Sequence, residues 1–182
     1  MKTYVVLLRG VNVSGQKMIK MADLKAMFEE LNFTNVQTYI QSGNVIFDSE
    51  SSDIKSVKDK IRKKIKSEYG FDVAVVITTN NELGYVLSHN PFIKKKSDIE
   101  KMYVTFLAEK PAPTNVLKLN ETDYLPEEFS IDDNFIYLFL PNGSGKAKLN
   151  NNFFENKLKV STTTRNWKSV NTLFELSRRN LT

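Results

Sequence analysis

The sequence predicts an α+β fold built from two similar halves, and three observations carry that expectation. Short apolar runs without polar alternation, at 4–8 and 73–77, mark strands buried on both faces. Apolar residues recurring at three- and four-residue spacing mark amphipathic helices between strands. Over residues 1–79 the two kinds of element alternate as β-α-β-β-α-β, the ferredoxin-like arrangement.

Residues 3–9 form the first strand, and 19–31 a helix with Met21, Leu24, Met27, Phe28 and Leu31 on one face. A strand at 36–40 turns through Ser42-Gly43 into a returning strand at 45–47. The second helix spans 53–69, with Asp53 as N-cap, Gly70 as its stop, and an apolar stripe of Ile54, Val57, Ile61 and Ile65. A strand at 71–78 closes the half. The likeliest boundary falls at Thr79-Asn80-Asn81, giving halves 1–79 and 80–182.

The second half reads as a looser copy. A helix at 80–88 ends before Asn90-Pro91. A strand follows at 102–108 and a helix at 113–119. A hairpin joins 129–131 to 135–140 across Asp132-Asp133-Asn134. A helix is expected at 148–158, a short threonine strand at 160–163, and a final helix at 167–179 with Val170, Leu173, Phe174 and Ser177 along one side.

Composition removes several function classes. The 182 residues contain no cysteine, so disulfides, thiol nucleophiles and thiolate metal sites are all absent. His89 is the only histidine, so a structural zinc or a His-rich metal centre is not expected. No cofactor is expected. No apolar h-region precedes the first strand, and no stretch approaches the roughly 18 apolar residues of a membrane helix. A cytoplasmic protein is expected. The net charge of +5 divides into +3 over 1–78, −4 over 79–140 and +6 over 141–182. A basic C-terminal segment suits phosphate, nucleic acid or the acidic middle of the chain itself. Lysine outnumbers arginine 21 to 5, which favours solubility over specific nucleic-acid readout.

Three polar clusters interrupt the apolar pattern. LLRGVNVSG at 7–15 and YIQSGNVIF at 39–47 place Arg9, Asn12, Gln41, Ser42 and Asn44 where strands end and glycines bend the backbone. TTTRNW at 162–167 adds Arg165, Asn166 and Trp167. Arg165 suits a carboxylate or phosphate beside a helix N-terminus, while Asn166 or Thr164 suits a helix cap.

Other patterns carry less. NGSGK at 142–146 resembles a phosphate loop, but Leu140 stands where a Walker A glycine belongs and Ala147 follows the lysine. The lysine-rich face of the second helix reads as a solvated surface. Its neighbouring strand lacks the paired aromatics of an RNA-recognition sheet. His89 reads as a helix-end contact. The acidic pairs Glu29-Glu30, Glu127-Glu128 and Asp132-Asp133 read as solvated, with no base beside them.

Taken together, LRGVNV at 8–13, YIQSGNVIF at 39–47 and TTRNW at 163–167 with Val170 resemble a known bacterial family, the domain of unknown function 1697 family. A weaker match over 145–149 puts Ala147 where that family has serine, so no hydroxyl role carries over. The resemblance implies two ferredoxin-like α+β halves packed into one unit. It implies no activity and supplies no catalytic residues.

The function expected is a binding module for an anionic small ligand, a nucleotide or phosphorylated metabolite. Arg9, Asn12, Gln41, Ser42, Asn44, Arg165, Asn166 and Trp167 would line a polar cleft between the halves. An enzyme of phosphoryl or acyl transfer is the alternative, with an arginine stabilising developing charge. A structural, protein-interaction or nucleic-acid role is the third. Because the strands at 4–8 and 73–77 need cover on both faces, residues 1–79 expressed alone should not give a stable, soluble monomer. Size-exclusion chromatography and thermal unfolding of that fragment check it; a cooperative monomer would refute the expectation.

Overall fold

A computed structural model describes residues 1–95 and 98–179. It is α+β, with two four-stranded antiparallel sheets and six helices among the described residues. The elements run β1 (Lys2–Leu8), α1 (Met21–Glu30), β2 (Thr34–Tyr39), β3 (Asn44–Ser49), α2 (Ile54–Tyr69), β4 (Val75–Thr78) and α3 (Asn80–His89). They continue as β5 (Met102–Leu107), α4 (Pro113–Val116), β6 (Glu128–Asp132), β7 (Phe135–Phe139), α5 (Asn151–Leu158), β8 (Thr162–Asn166) and α6 (Trp167–Arg179). The sheet orders are β2-β3-β1-β4 and β6-β7-β5-β8, so each sheet sets the first strand of its half between the third and the fourth. The chain divides into two compact units: 1–84 with the segment from Thr172 onward, and 85–171.

In the first unit, β1 is buried on both faces, as its unbroken apolar run predicts. Tyr4, Val6 and Leu8 enter a core shared with α1 and α2, while Val5 and Leu7 project to the opposite face and are equally buried. Ile46 on β3 is covered there too, so this sheet has no open aromatic platform for RNA. Helix α1 contributes Leu24, Met27 and Phe28, and α2 contributes Val57, Ile61 and Ile65. The aromatic centre is Phe47, whose ring centroid lies 4.4 Å from Phe33, 5.3 Å from Phe28 and 5.9 Å from Tyr4. Asp53 caps α2 by accepting from the N–H groups of Lys55 and Ser56, and Gly70 ends it at φ +76°.

The lysine-rich face of α2 is largely paired at the surface. Lys64 meets Glu30 and Glu68, while Arg62 and Lys66 both meet Asp72. Hydrogen bonding to Glu30 and then Glu68 holds the Lys64 pKa above its ordinary value. Lys66 chiefly, with Arg62, holds the Asp72 carboxyl below its own.

Several predicted elements differ in extent from the structure, among them β4, α4 and α5. Strand β4 begins at Val75 rather than 71, because only residues 75–78 find ladder partners on β1. Helix α4 stops after one turn at Val116. Helix α5 begins at Asn151 rather than 148, because Asn150 is extended (φ −109°, ψ 176°) and caps the helix by accepting from the Phe153 N–H at 3.0 Å. The second unit's core gathers Phe129, Ile136, Leu138, Leu140, Phe154 and Leu158.

Replacing Phe47 by alanine should lower unfolding stability by about 3–5 kcal/mol, since it empties the meeting point of four aromatic side chains. Urea denaturation measures this, and a loss under about 1 kcal/mol would contradict the packing described.

Candidate functional site

The first two polar clusters meet at one corner of the first unit. The loop leaving β1 takes left-handed backbone at Gly10 (φ +70°), Asn12 (+56°), Ser14 (+50°), Gly15 (+74°) and Lys17 (+47°). A chain bent this often cannot satisfy itself by a ladder, and the Asn12 amide supplies the missing bonds. Its Nδ2 donates to the carbonyls of Ile19 and Gln41, both at 2.9 Å, and its Oδ1 accepts from the Ile19 N–H at 2.8 Å. This lock on Ile19 explains why α1 starts at Met21 and not at 19.

The turn between β2 and β3 closes the same corner. Gly43 has φ +71°, and a Cβ there would lie 2.9 Å from the Cβ of Leu8 and 3.3 Å from that of Val11. Its carbonyl accepts from the Leu8 N–H at 2.9 Å. Asn44 is fully buried, and its Nδ2 donates to the Tyr39 carbonyl at 3.0 Å and the Ser42 Oγ at 2.9 Å. Asn12, Gln41, Ser42 and Asn44 are thus brought together, with Gln41 contributing its carbonyl while its side chain is exposed. Arg9 is half-buried at the end of β1, its backbone N–H bonded to the Ala74 carbonyl at 3.0 Å. Lys17 reaches the Asp72 carbonyl at 2.6 Å.

The third cluster belongs to the second unit. Arg165 lies within β8, opposite Val104 of β5, and not in a loop ahead of the last helix. The expected strand at 160–163 therefore sits later, at Thr162–Asn166. Thr162 and Thr164 face Asn151 of α5, at 3.1 and 2.8 Å from its Oδ1. Thr163 and Arg165 take the other face. Arg165 is 7% exposed, and its Nη1 donates to the Thr163 Oγ1 at 2.7 Å and the Thr164 carbonyl at 2.9 Å. Burial pulls its pKa down to about 10, so it stays cationic at neutral pH inside a poorly hydrated site. Asn166 caps α6 by accepting from the Ser169 N–H at 2.8 Å, and Trp167 is the first, buried residue of that helix.

Two sites of interest escaped the sequence reading. Glu127, expected to be solvated beside Glu128, is 8% exposed. Its Oε1 accepts from the Lys148 N–H at 3.0 Å and its Oε2 from the Leu149 N–H at 2.9 Å. Consecutive amides of this kind form an anion-binding nest, and here the chain's own carboxylate fills it. These two amides follow the glycine-rich segment 142–146 and do not belong to it. A buried acidic residue 21 positions upstream leaves no local signature, so spacing could not reveal it. Asp132 likewise holds up the pKa of Tyr85 by accepting its hydroxyl hydrogen bond. His89, the last residue of α3, lies with its Nδ1 2.9 Å from the Tyr85 carbonyl and its ring stacked on Tyr85, a helix-end contact.

No described helix is long and apolar enough to cross a membrane. No group of three or more acidic, histidine or cysteine residues among the described residues could hold a metal ion.

A family profile described as "Protein of unknown function (DUF1697)" matches residues 1–137. The chain belongs to this family. The solved structure of the conserved bacterial protein SP0830 from Streptococcus pneumoniae is similar, with a TM-score of 0.73 and 22% sequence identity. The match covers 97% of this chain and 98% of that one, and at that identity it supports the fold alone. No curated protein matches.

Gly43→Ala should cost at least about 1 kcal/mol, because a left-handed residue gains a Cβ against Leu8. Glu127→Ala should cost about 1–3 kcal/mol by stranding the buried Leu149 N–H. Chemical denaturation of both variants checks the two figures; wild-type midpoints would refute the corner and the nest respectively.

Proposed function

We propose that the protein is a cytoplasmic binding module for an anionic small ligand, a nucleotide or phosphorylated metabolite, carried on two ferredoxin-like halves. The equivalent strand orders of the two sheets support that description of the halves. The observation that carries the binding reading is the buried Arg165 guanidinium. A fixed cation in a poorly hydrated strand attracts an anion far more strongly than a solvated surface lysine does. Arg9 offers a second guanidinium, half-buried at the corner that Asn12 and Asn44 hold rigid. Gln41, Ser42, Asn166 and Trp167 are the remaining candidate contacts.

A purely structural role for the clusters is the competing reading. What favours it is that the amides of Asn12, Asn44 and Asn166 are all engaged with backbone groups.

Thermal-shift measurements against ATP, GTP, glucose 6-phosphate, inorganic phosphate and citrate separate the two. Binding predicts a raised melting temperature with at least one anion, weakened between about 50 and about 200 mM salt. It also predicts loss of that shift in Arg9→Ala and in Arg165→Lys, with the unliganded melting temperature nearly unchanged in Arg9→Ala. If no anion moves the melting temperature, the binding reading falls and the structural one stands.

A further inference from the structure

The Asn12 corner turns apolar residues toward water, and none of them belongs to the anion-binding reading. Val13 is 55% exposed, Met18 62% and Ile40 49%. A single exposed aliphatic residue is common on any protein. Here the Asn12 lock gathers three. Val13 follows Asn12, whose Nδ2 holds the Gln41 carbonyl, and Ile40 precedes Gln41. The Asn12 N–H donates to the Lys17 carbonyl at 3.2 Å and the Gln16 N–H to the Val13 carbonyl at 2.9 Å, which closes 12–17 into a tight loop with Met18 directly after it. A Cβ built on Gly15 would meet nothing within 4 Å, so the loop tip stands clear of the body.

Ile40 supplies a second, independent observation. Its backbone is left-handed at φ +48°, a region that glycine and asparagine enter readily and a β-branched residue rarely does. Half of the residue lies in water, so burial does little to offset the strain. Backbone strain of this kind clusters where a surface serves a partner.

The ground around the loop is basic. Lys20 is exposed at its end, and Lys17 reaches the Asp72 carbonyl. The Asp72 carboxylate in turn gathers Arg62 and Lys66 of α2. Asp23, in the first turn of α1, is the second acidic group at this end of the unit. Four cations therefore face two carboxylates around an apolar tip. A projecting tip of this composition matches a flat anionic bilayer, with the apolar side chains in the interface and the long cationic ones at the headgroups. It matches nucleic acid poorly, because none of the three exposed residues is an aromatic ring on which a base could stack. We propose that this corner docks the protein on an anionic phospholipid membrane, so that it lies on the bilayer without spanning it.

The test is co-sedimentation of the full chain with large unilamellar vesicles, either phosphatidylcholine alone or phosphatidylcholine and phosphatidylglycerol in equal parts. Binding to the anionic vesicles should be at least about tenfold tighter than to the neutral ones, and should weaken between about 100 and about 500 mM salt. Met18→Ser should weaken it by about tenfold or more. Lys20→Gln should weaken it by about fivefold. Ile40→Asn separates docking from folding: it should weaken vesicle binding by about tenfold while the melting temperature stays level or rises, because asparagine suits left-handed backbone. Met18→Ser alone carries the test if Ile40→Asn melts earlier than wild type. The proposal is overturned by no binding to anionic vesicles at about 100 mM salt, by equal binding to neutral ones, or by unchanged affinity in a folded Met18→Ser variant. Equal or tighter binding to a short oligouridylate overturns it in favour of nucleic acid. None of these outcomes bears on small anions at Arg9 or Arg165.

Discussion

Backbone amides that leave a helix or a strand must find another partner, and this chain meets that demand with buried polar side chains. Asn12 takes over three bonds at the corner where β1 gives way to α1. Asn44 closes the adjoining turn, Asn150 caps α5, and Asn166 caps α6. Glu127 does the same for two amides ahead of α5. The apolar sheets could form without these groups, but their loops would be undirected. Each group removes a desolvation penalty of about 1–3 kcal/mol and selects one loop path over its neighbours.

The same constraint governs the charges that the fold buries. Glu127 meets two backbone N–H groups, one on each carboxylate oxygen. Arg165 meets a hydroxyl and a carbonyl in its own strand, and burial lowers its pKa to about 10 without neutralising it. A guanidinium kept charged in such surroundings is stabilised further by any anion that reaches it. By contrast, the many lysines of α2 lie in water, where their pairs with Glu30, Glu68 and Asp72 contribute little. Charge number along the sequence is therefore a poor guide to charge at a site.

The polar clusters were visible in the sequence because polar residues and glycines interrupt apolar runs at 7–15, 39–47 and 162–167. What each residue does there was only partly visible. The cap at Asn166 could be anticipated, since an amide directly before an amphipathic helix has few other uses. The placement of Arg165 inside β8 could not, because threonine-rich segments suit strands and turns alike.

The sequence by itself determined the class of fold, the number of sheets and the elements that build them. Periodicities of two and 3.6 are properties of adjacent residues, and so are caps such as Asp53 and stops such as Gly70. Tertiary structure alone decided where strands begin and end, which acidic residue is buried, and which amides lock which loops. Those outcomes depend on partners tens of residues away, as with Asn12 and Gln41 or Glu127 and Leu149. A hydrogen bond across such a separation is chosen by the packing of the sheets and helices that carry its two ends.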